Sequence, residues 1–276
     1  MSTFKINFLL FLLEYLRYAR THSIGGKMPN LVINNFTLYY EIHGEGPPLL
    51  LLHGFTGSGV GLAAAFHAFS LNYKLIIPDL RGHGRSTNPS KEFTFRQTAQ
   101  DILALLEHLD IDQCAAIGFS GGGCALLHMA YRQPEKIKSM ALVSAAPYFP
   151  AETRAIMKEI TVEGKTEDEW AAMRAIHFHG DEQIKILWEQ SRMFSESYID
   201  MNFTPEMLSQ ITTKTLIIQG DRDPFYPIEL TLEMYKPMQN AYLWIVPNGG
   251  HVPITADSLE GFINNVSQIV LRGADI

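Results

Sequence analysis

Four consecutive leucines, Leu49–Leu52, stand between Pro48 and Gly54. An apolar run this short, with no polar alternation, marks a strand buried on both faces of a parallel sheet. The same signal returns at Lys74–Ile77, Gln113–Phe119, Ile137–Val143, Thr215–Gln219 and Tyr242–Val246. Between these runs lie stretches that read as helix: Gly61–Ser70, Thr94–Leu109, Gly121–Arg132, Ile228–Tyr235 and Ser258–Leu271. In Thr94–Leu109 the apolar residues Ile102, Leu105, Leu106 and Leu109 recur at helical spacing. Strand alternating with helix predicts an α/β class with a mostly parallel central sheet and helices on both faces. A β-hairpin, Leu31–Ile33 and Phe36–His43 around Asn34-Asn35, precedes it.

The alternation stops after Pro147. From Tyr148 to about Gln210 there is no strand pattern, only helical stretches at Ala151–Ile160, Glu167–Ala175, Asp181–Phe194 and Pro205–Ser209. The expected organisation is a core of residues 28–147 and 211–276 with a helical cap, residues 148–210, inserted into it. Residues 1–27 stand apart. Phe8–Leu13 is apolar, with Lys5 before it and Glu14, Arg17 and Arg20 after it. It is too short to span a bilayer, which takes about 20 residues, and no small-residue cleavage site follows closely. An amphipathic helical extension fits, packed on the body, on a second copy of the chain or on a membrane surface. Met28 resembles a natural start.

Composition excludes some functions. Lysine and arginine total 22 against 29 aspartates and glutamates, a formal charge of −7, so nothing suggests a nucleic-acid partner, which normally needs a basic face. The two cysteines, Cys114 and Cys124, fall in a strand and the helix after it. They form no disulfide framework and no metal spacing, and suit a reducing, cytoplasmic setting.

The chemistry gathers at strand ends. Gly118-Phe119-Ser120-Gly121-Gly122 matches G-x-S-x-G, with a strand running in and a helix running out. A serine there sits on a sharp, strained turn beside the free N–H groups of a helix start. A hydroxyl needs a base, and the base an orienting carboxylate. Strand Thr215–Gln219 ends in Gly220-Asp221-Arg222-Asp223-Pro224. Asp223, deeper in the loop, is the better acid; Asp221 is expected to shape the turn or pair with Arg222. Strand Tyr242–Val246 ends in Pro247-Asn248-Gly249-Gly250-His251, and position singles out His251 among the ten histidines. The turn His53–Ser58 follows the leucine strand. A backbone N–H there, that of Phe55, would join that of Gly121 as an oxyanion hole. His53 and His83, the latter in the glycine-rich loop Asp79–Ser86, read as hydrogen-bonded loop residues. His177-Phe178-His179-Gly180-Asp181-Glu182 reads as a polar turn between helices and not as a metal site.

From about Met28 onward the chain resembles the α/β-hydrolase superfamily. The resemblance rests on His53-Gly54-Phe55, the Asp79–Ser86 loop, the elbow at Ser120, Gly220–Pro224 and Gly249–His251. It implies a Ser120–Asp223–His251 triad, with the second aspartate of Gly-Asp-Arg-Asp as its acid, and no cofactor. It points to the single-cap branch, which includes carboxylesterases, enol-lactone hydrolases, carbon–carbon bond hydrolases and perhydrolases. Serine at the elbow argues against the dehalogenase and epoxide hydrolase relatives, which carry aspartate there. The expected activity is hydrolysis of small to medium apolar carboxylic esters through an acyl-enzyme. Lactonase, thioesterase, carbon–carbon hydrolase or perhydrolase chemistry on the same residues is the alternative, and a ligand receptor of the same fold is the alternative of another class. Phe55, Phe119, Phe149, Phe178, Trp188, Phe194, Phe225 and Val252 are candidates to line the pocket. No arginine is clearly placed for a substrate carboxylate.

Overall fold

The computed structural model describes residues 29–271 apart from Asn34, Ala256 and Asp257. The expected extension at 1–27 lies outside the described residues, as does the first residue of the hairpin turn.

Eight strands form one sheet: β1 Asn30–Ile33, β2 Phe36–His43, β3 Pro48–Leu52, β4 Lys74–Pro78, β5 Cys114–Phe119, β6 Ile137–Val143, β7 Lys214–Gly220 and β8 Ala241–Val246. Their order is β1-β2-β4-β3-β5-β6-β7-β8. β2 pairs antiparallel with β1 and with β4, and every pair from β4 to β8 is parallel. The four leucines explain why such a sheet holds. All are fully buried. Successive side chains on a strand point to opposite faces, so Leu50 and Leu52 enter one core and Leu49 and Leu51 the other. Each buried leucine contributes about 1.5–3 kcal/mol.

Helices cover both faces. On one side lie α1 (Gly59–Ala65) and α9 (Leu259–Asn265), through Leu62, Ala63 and Phe262. On the other lie α2 (Phe95–His108), α3 (Gly121–Arg132) and α8 (Ile228–Tyr235), through Ile102, Leu127 and Leu230. Two expected helices differ from the sequence reading. Gly61–Ser70 begins at Gly59, ends as α-helix at Ala65 and becomes a 3₁₀ turn over His67–Leu71. At that break Phe66 turns inward, its ring centroid 5.5 Å from those of Phe119 and Phe262. The last helix widens into a π-helical turn over Val266–Leu271, where the Val270 carbonyl accepts from the Ser139 hydroxyl at 2.6 Å.

Between β6 and β7 the chain leaves the sheet for α4 (Ala151–Lys158), α5 (Glu167–Ile176), α6 (Asp181–Met193) and α7 (Pro205–Ser209). Thr166 and Glu169 form a reciprocal capping box at the start of α5. The Arg154 guanidinium donates to the carbonyls of Phe149, Phe194, Ser195 and Ser197. Asp200 returns to the core and accepts from the Phe95 and Arg96 N–H groups at the start of α2. Both cysteines are free and buried, and burial pushes each thiol up to about 12. Among the described residues no helix is long and apolar enough to cross a membrane.

Candidate active site

The sheet sets the place. From β3 the chain moves to β4 on one side, and from β5 to β6 on the other. In a parallel sheet the crevice between such strands, at their carboxyl ends, is where ligands bind. Phe55 follows β3 and Ser120 follows β5, so both belong to its rim.

Ser120 occupies the turn between β5 and α3 with φ 47° and ψ −112°, a conformation costing on the order of 1–3 kcal/mol. Its N–H donates to the Val143 carbonyl at 2.7 Å. The glycines around it allow close approach. A Cβ on Gly118 would lie 2.7 Å from the Gly122 backbone, and one on Gly122 would lie 2.5 Å from the Leu52 carbonyl oxygen.

The three loops meet at side-chain level. His251 Nε2 lies 2.9 Å from Ser120 Oγ, and His251 Nδ1 lies 2.8 Å from Asp223 Oδ2. Asp223 is saturated. Oδ1 accepts from the N–H groups of Phe225 and Tyr226, and Oδ2 also accepts from Gln219 Nε2 at 2.8 Å. Burial pushes the carboxyl up, but the hydrogen bond and charge of His251, with the Phe225 N–H and Gln219, outweigh it and hold Asp223 below the usual range. An ionised Asp223 requires Nδ1 of His251 to carry the proton and leaves Nε2 to accept from Ser120. Asp221 takes no part. Its N–H donates to the Val246 carbonyl, and it makes no ion pair with Arg222 among the described residues. Gln219, at the end of β7, was missed by the sequence reading; the available signal was a buried polar residue closing an apolar strand.

Phe55 sits in a β-turn closed by the Gly57 N–H donating to the Gly54 carbonyl at 3.0 Å. Thr56, third in the turn, has φ 64°, as a type II turn requires of a residue that is usually glycine. Among the described residues the N–H groups of Phe55 and Gly121 have no acceptor in the protein. They are neighbours: a Cβ on Gly121 would lie 3.1 Å from Phe55 N.

Three buried histidines surround this turn. His53 Nδ1 lies 2.8 Å from the Gly54 carbonyl, while Nε2 accepts from the Leu80 N–H. His83 Nε2 accepts from the Thr56 N–H, and Nδ1 faces the Arg81 carbonyl. His177 Nδ1 accepts from the Gly84 N–H, and Nε2 lies 3.2 Å from the Thr56 carbonyl. Burial pushes His53 down to about 3, His177 to about 4 and His83 well below the usual value. All three are neutral, with tautomers set by the N–H each accepts.

Rings connect the turn to the base. Phe55 packs on Phe93 and Phe194, each at 4.8 Å. Phe194 meets Phe95 at 5.0 Å and Phe149 at 6.1 Å. Phe149 stacks on Tyr226, whose ring is 5.3 Å from that of His251, and Phe225 is 4.9 Å from His251. Burial raises the Tyr226 phenol well above its ordinary value, and the phenol lies beside the Ser120 hydroxyl. Phe93, Phe95 and Tyr226 were not among the expected lining residues. Four that were have other surroundings or are exposed. Phe119 packs beneath the sheet against Phe66 and Phe262, because side chains alternate along β5. Trp188, 4% exposed, is locked edge-on to Trp170 between α5 and α6. Phe178 is 48% exposed beneath the Arg85 guanidinium, and Val252 is 45% exposed. Of the polar turn at 177–182, His177 faces inward, His179 reaches the Arg85 carbonyl and Asp181 pairs with Arg174. Clefts of about 270 and 280 Å³, one beside α6 and one beside Arg81, do not border Ser120.

Sheet order and the strand–elbow–helix turn at Ser120 are those of the α/β-hydrolase fold. The family model described as alpha/beta hydrolase fold matches residues 47–162. A soluble epoxide hydrolase from Corynebacterium is 31% identical over 147 residues, 51% of this chain and 51% of that protein. A pimeloyl-[acyl-carrier protein] methyl ester esterase from Nitrosospira multiformis is 26% identical over 255 residues, 83% of this chain and 97% of that protein. The crystal structure of MGS-M2, an alpha/beta hydrolase enzyme from a Medee basin deep-sea metagenome library, superposes with a TM-score of 0.76 at 21% identity, covering 90% of this chain and 98% of that one. Together these comparisons support hydrolase activity.

Proposed function

We propose that the chain is a serine hydrolase of small to medium apolar carboxylic esters. The observation that carries this reading is the continuous line from Ser120 Oγ through the His251 ring to Asp223, with distances of 2.9 and 2.8 Å. In the proposed reaction His251 Nε2 takes the hydroxyl proton as Oγ attacks the ester carbonyl. The Phe55 and Gly121 N–H groups receive the developing oxyanion. His251 then protonates the leaving alcohol, and a water activated by the same nitrogen releases the acid. Asp223 holds the imidazole tautomer and stabilises its positive form.

Phe55, Phe149, Phe194 and Tyr226 favour an apolar acyl group. Arg154, 5.9 Å from the Phe149 ring centroid, has its donors on four carbonyls. That supports a neutral substrate over an anionic one. The esterase relative is consistent with this reading, and Ser120 at the elbow supports acyl transfer in preference to the chemistry in the epoxide hydrolase's name. The test is steady-state hydrolysis of p-nitrophenyl esters from acetate to palmitate, with Ser120→Ala in parallel. Turnover should peak at short or medium chains and fall by about 10³-fold or more in the variant. Turnover of Ser120→Ala near the wild-type rate, or none by the folded wild type on any chain length, would overturn the reading.

A further inference from the structure

The Gly54–Gly57 turn holds its shape against the preference of its own sequence. Thr56 is β-branched, and such residues rarely adopt the φ of 64° found here. The turn's polar groups are taken by imidazoles from three segments. His53 follows β3, and His83 stands in the loop after β4. His177 ends α5, inside the segment inserted between β6 and β7. The Gly54 carbonyl faces His53, the Thr56 N–H donates to His83, and the Thr56 carbonyl faces His177. Among the described residues the Phe55 N–H has no acceptor in the protein.

His177 differs from the other two, because it couples the inserted segment to the turn. Its Nδ1 can only accept from the Gly84 N–H, so its proton is on Nε2 and is donated to the Thr56 carbonyl. The seam around it is closed by the Phe178 N–H donating to the Gly84 carbonyl, and by Gln183 Nε2 donating to the carbonyls of Gly82 and Gly84. His177 is 2% exposed and is not hydrogen-bonded to Ser120, Asp223 or His251.

We propose that His177 is a positioning residue for the reaction. Through its Nε2–H on the Thr56 carbonyl it holds the strained turn that aims the Phe55 N–H, so the oxyanion site is complete only when α5 is docked. This rests on the ester hydrolase reading for its kinetic consequence, but the clamp itself does not. An inserted helix that carries this donor links substrate enclosure to transition-state stabilisation. A substrate that keeps α5 from seating is bound without being turned over.

The two ring nitrogens can be tested apart. In His177→Asn the amide stands near the Nδ1 position, keeping a partner for Gly84 but losing the donor to Thr56. In His177→Gln the amide reaches the Nε2 position and restores that donor. Hydrogen exchange of the peptide spanning residues 53–58 reads the clamp without reference to activity. It should rise in His177→Asn and stay near wild type in His177→Gln. On a p-nitrophenyl ester, kcat should fall about tenfold to hundredfold in the Asn variant with KM within about threefold, since removing an oxyanion donor outright costs about 10²–10³ in kcat. The Gln variant should recover to within about fivefold of wild type. Equal exchange in both variants and wild type, or equal loss of kcat in both variants, would overturn the proposal. Failure of Ser120→Ala to abolish turnover would overturn the esterase reading instead, leaving the exchange result to decide the clamp.

Discussion

Asp223 accepts four hydrogen bonds, two on each carboxylate oxygen. That saturation makes it an orienting group and not a proton acceptor. Asp223→Asn keeps the shape but can present an amide to Nδ1 of His251, reversing the tautomer. We expect kcat to fall by roughly 10³–10⁴ with KM little changed, read from initial rates over a range of ester concentrations. Gln219→Leu tests the support behind it. A hydrogen bond to a charged group is worth about 1.5–3 kcal/mol, so kcat should drop by about tenfold or more while the fold survives. An unchanged kcat would show that the Phe225 and Tyr226 N–H groups hold the carboxylate alone. Asp223 was separable from Asp221 in the sequence because loop depth distinguishes them. Gln219 was not, because its importance depends on where its amide ends up three-dimensionally, next to a loop four residues on.

The strand–turn–helix element at Ser120 is governed by contact distances. A methyl group on Gly122 would meet the carbonyl oxygens of Leu52 and His53 at 2.5 and 2.7 Å. Backbone cannot yield as a side-chain tip can. Gly122→Ala should cost at least about 2 kcal/mol in denaturant unfolding and should reduce turnover as well, because the carbonyls displaced lead into the Phe55 turn. Wild-type stability in that variant would mean that α3 can slide away from β3 freely. Strand and helix types were legible here because the apolar runs are short, bounded and separated by helical spacing. Gly121–Arg132, Ile137–Val143 and Ile228–Tyr235 coincide with α3, β6 and α8. Gly61–Ser70 was misjudged at its end because Phe66 gains more by entering the Phe119–Phe262 cluster than by continuing a helix. Pocket lining was least legible. Chain proximity does not say which side of β5 Phe119 faces, nor that Trp188 is spent on Trp170.

At the scale of the whole molecule, buried titratable groups set the response to acid. His53, His83, His177 and His128 are all held neutral, their pKa values lowered first by burial. When the chain unfolds they return to about 6.5 and bind protons that the folded state refuses. Their contribution to stability is therefore complete above about 6.5 and is lost as pH falls toward 4. Asp79, raised by burial to about 6, and Asp101 and Asp200, also raised by burial, act in the opposite sense above their unfolded values. With four histidines and the lowered carboxyls of Asp223 and Glu41 against these three, the midpoint of urea unfolding should fall as pH is lowered from 7 to 4.5. A flat or rising midpoint would mean that these imidazoles are not neutral in the fold.

The Asp223 carboxylate, the glycine-lined elbow and the buried histidines all bear on one atom, Oγ of Ser120. Its reactivity is read most directly by treating the protein with a fluorophosphonate and locating the adduct by mass spectrometry. One covalent adduct per chain is expected, on Ser120, appearing in step with the loss of ester hydrolysis and missing from Ser120→Ala. A folded, ester-hydrolysing protein that takes no label, or takes it on another residue, would contradict it.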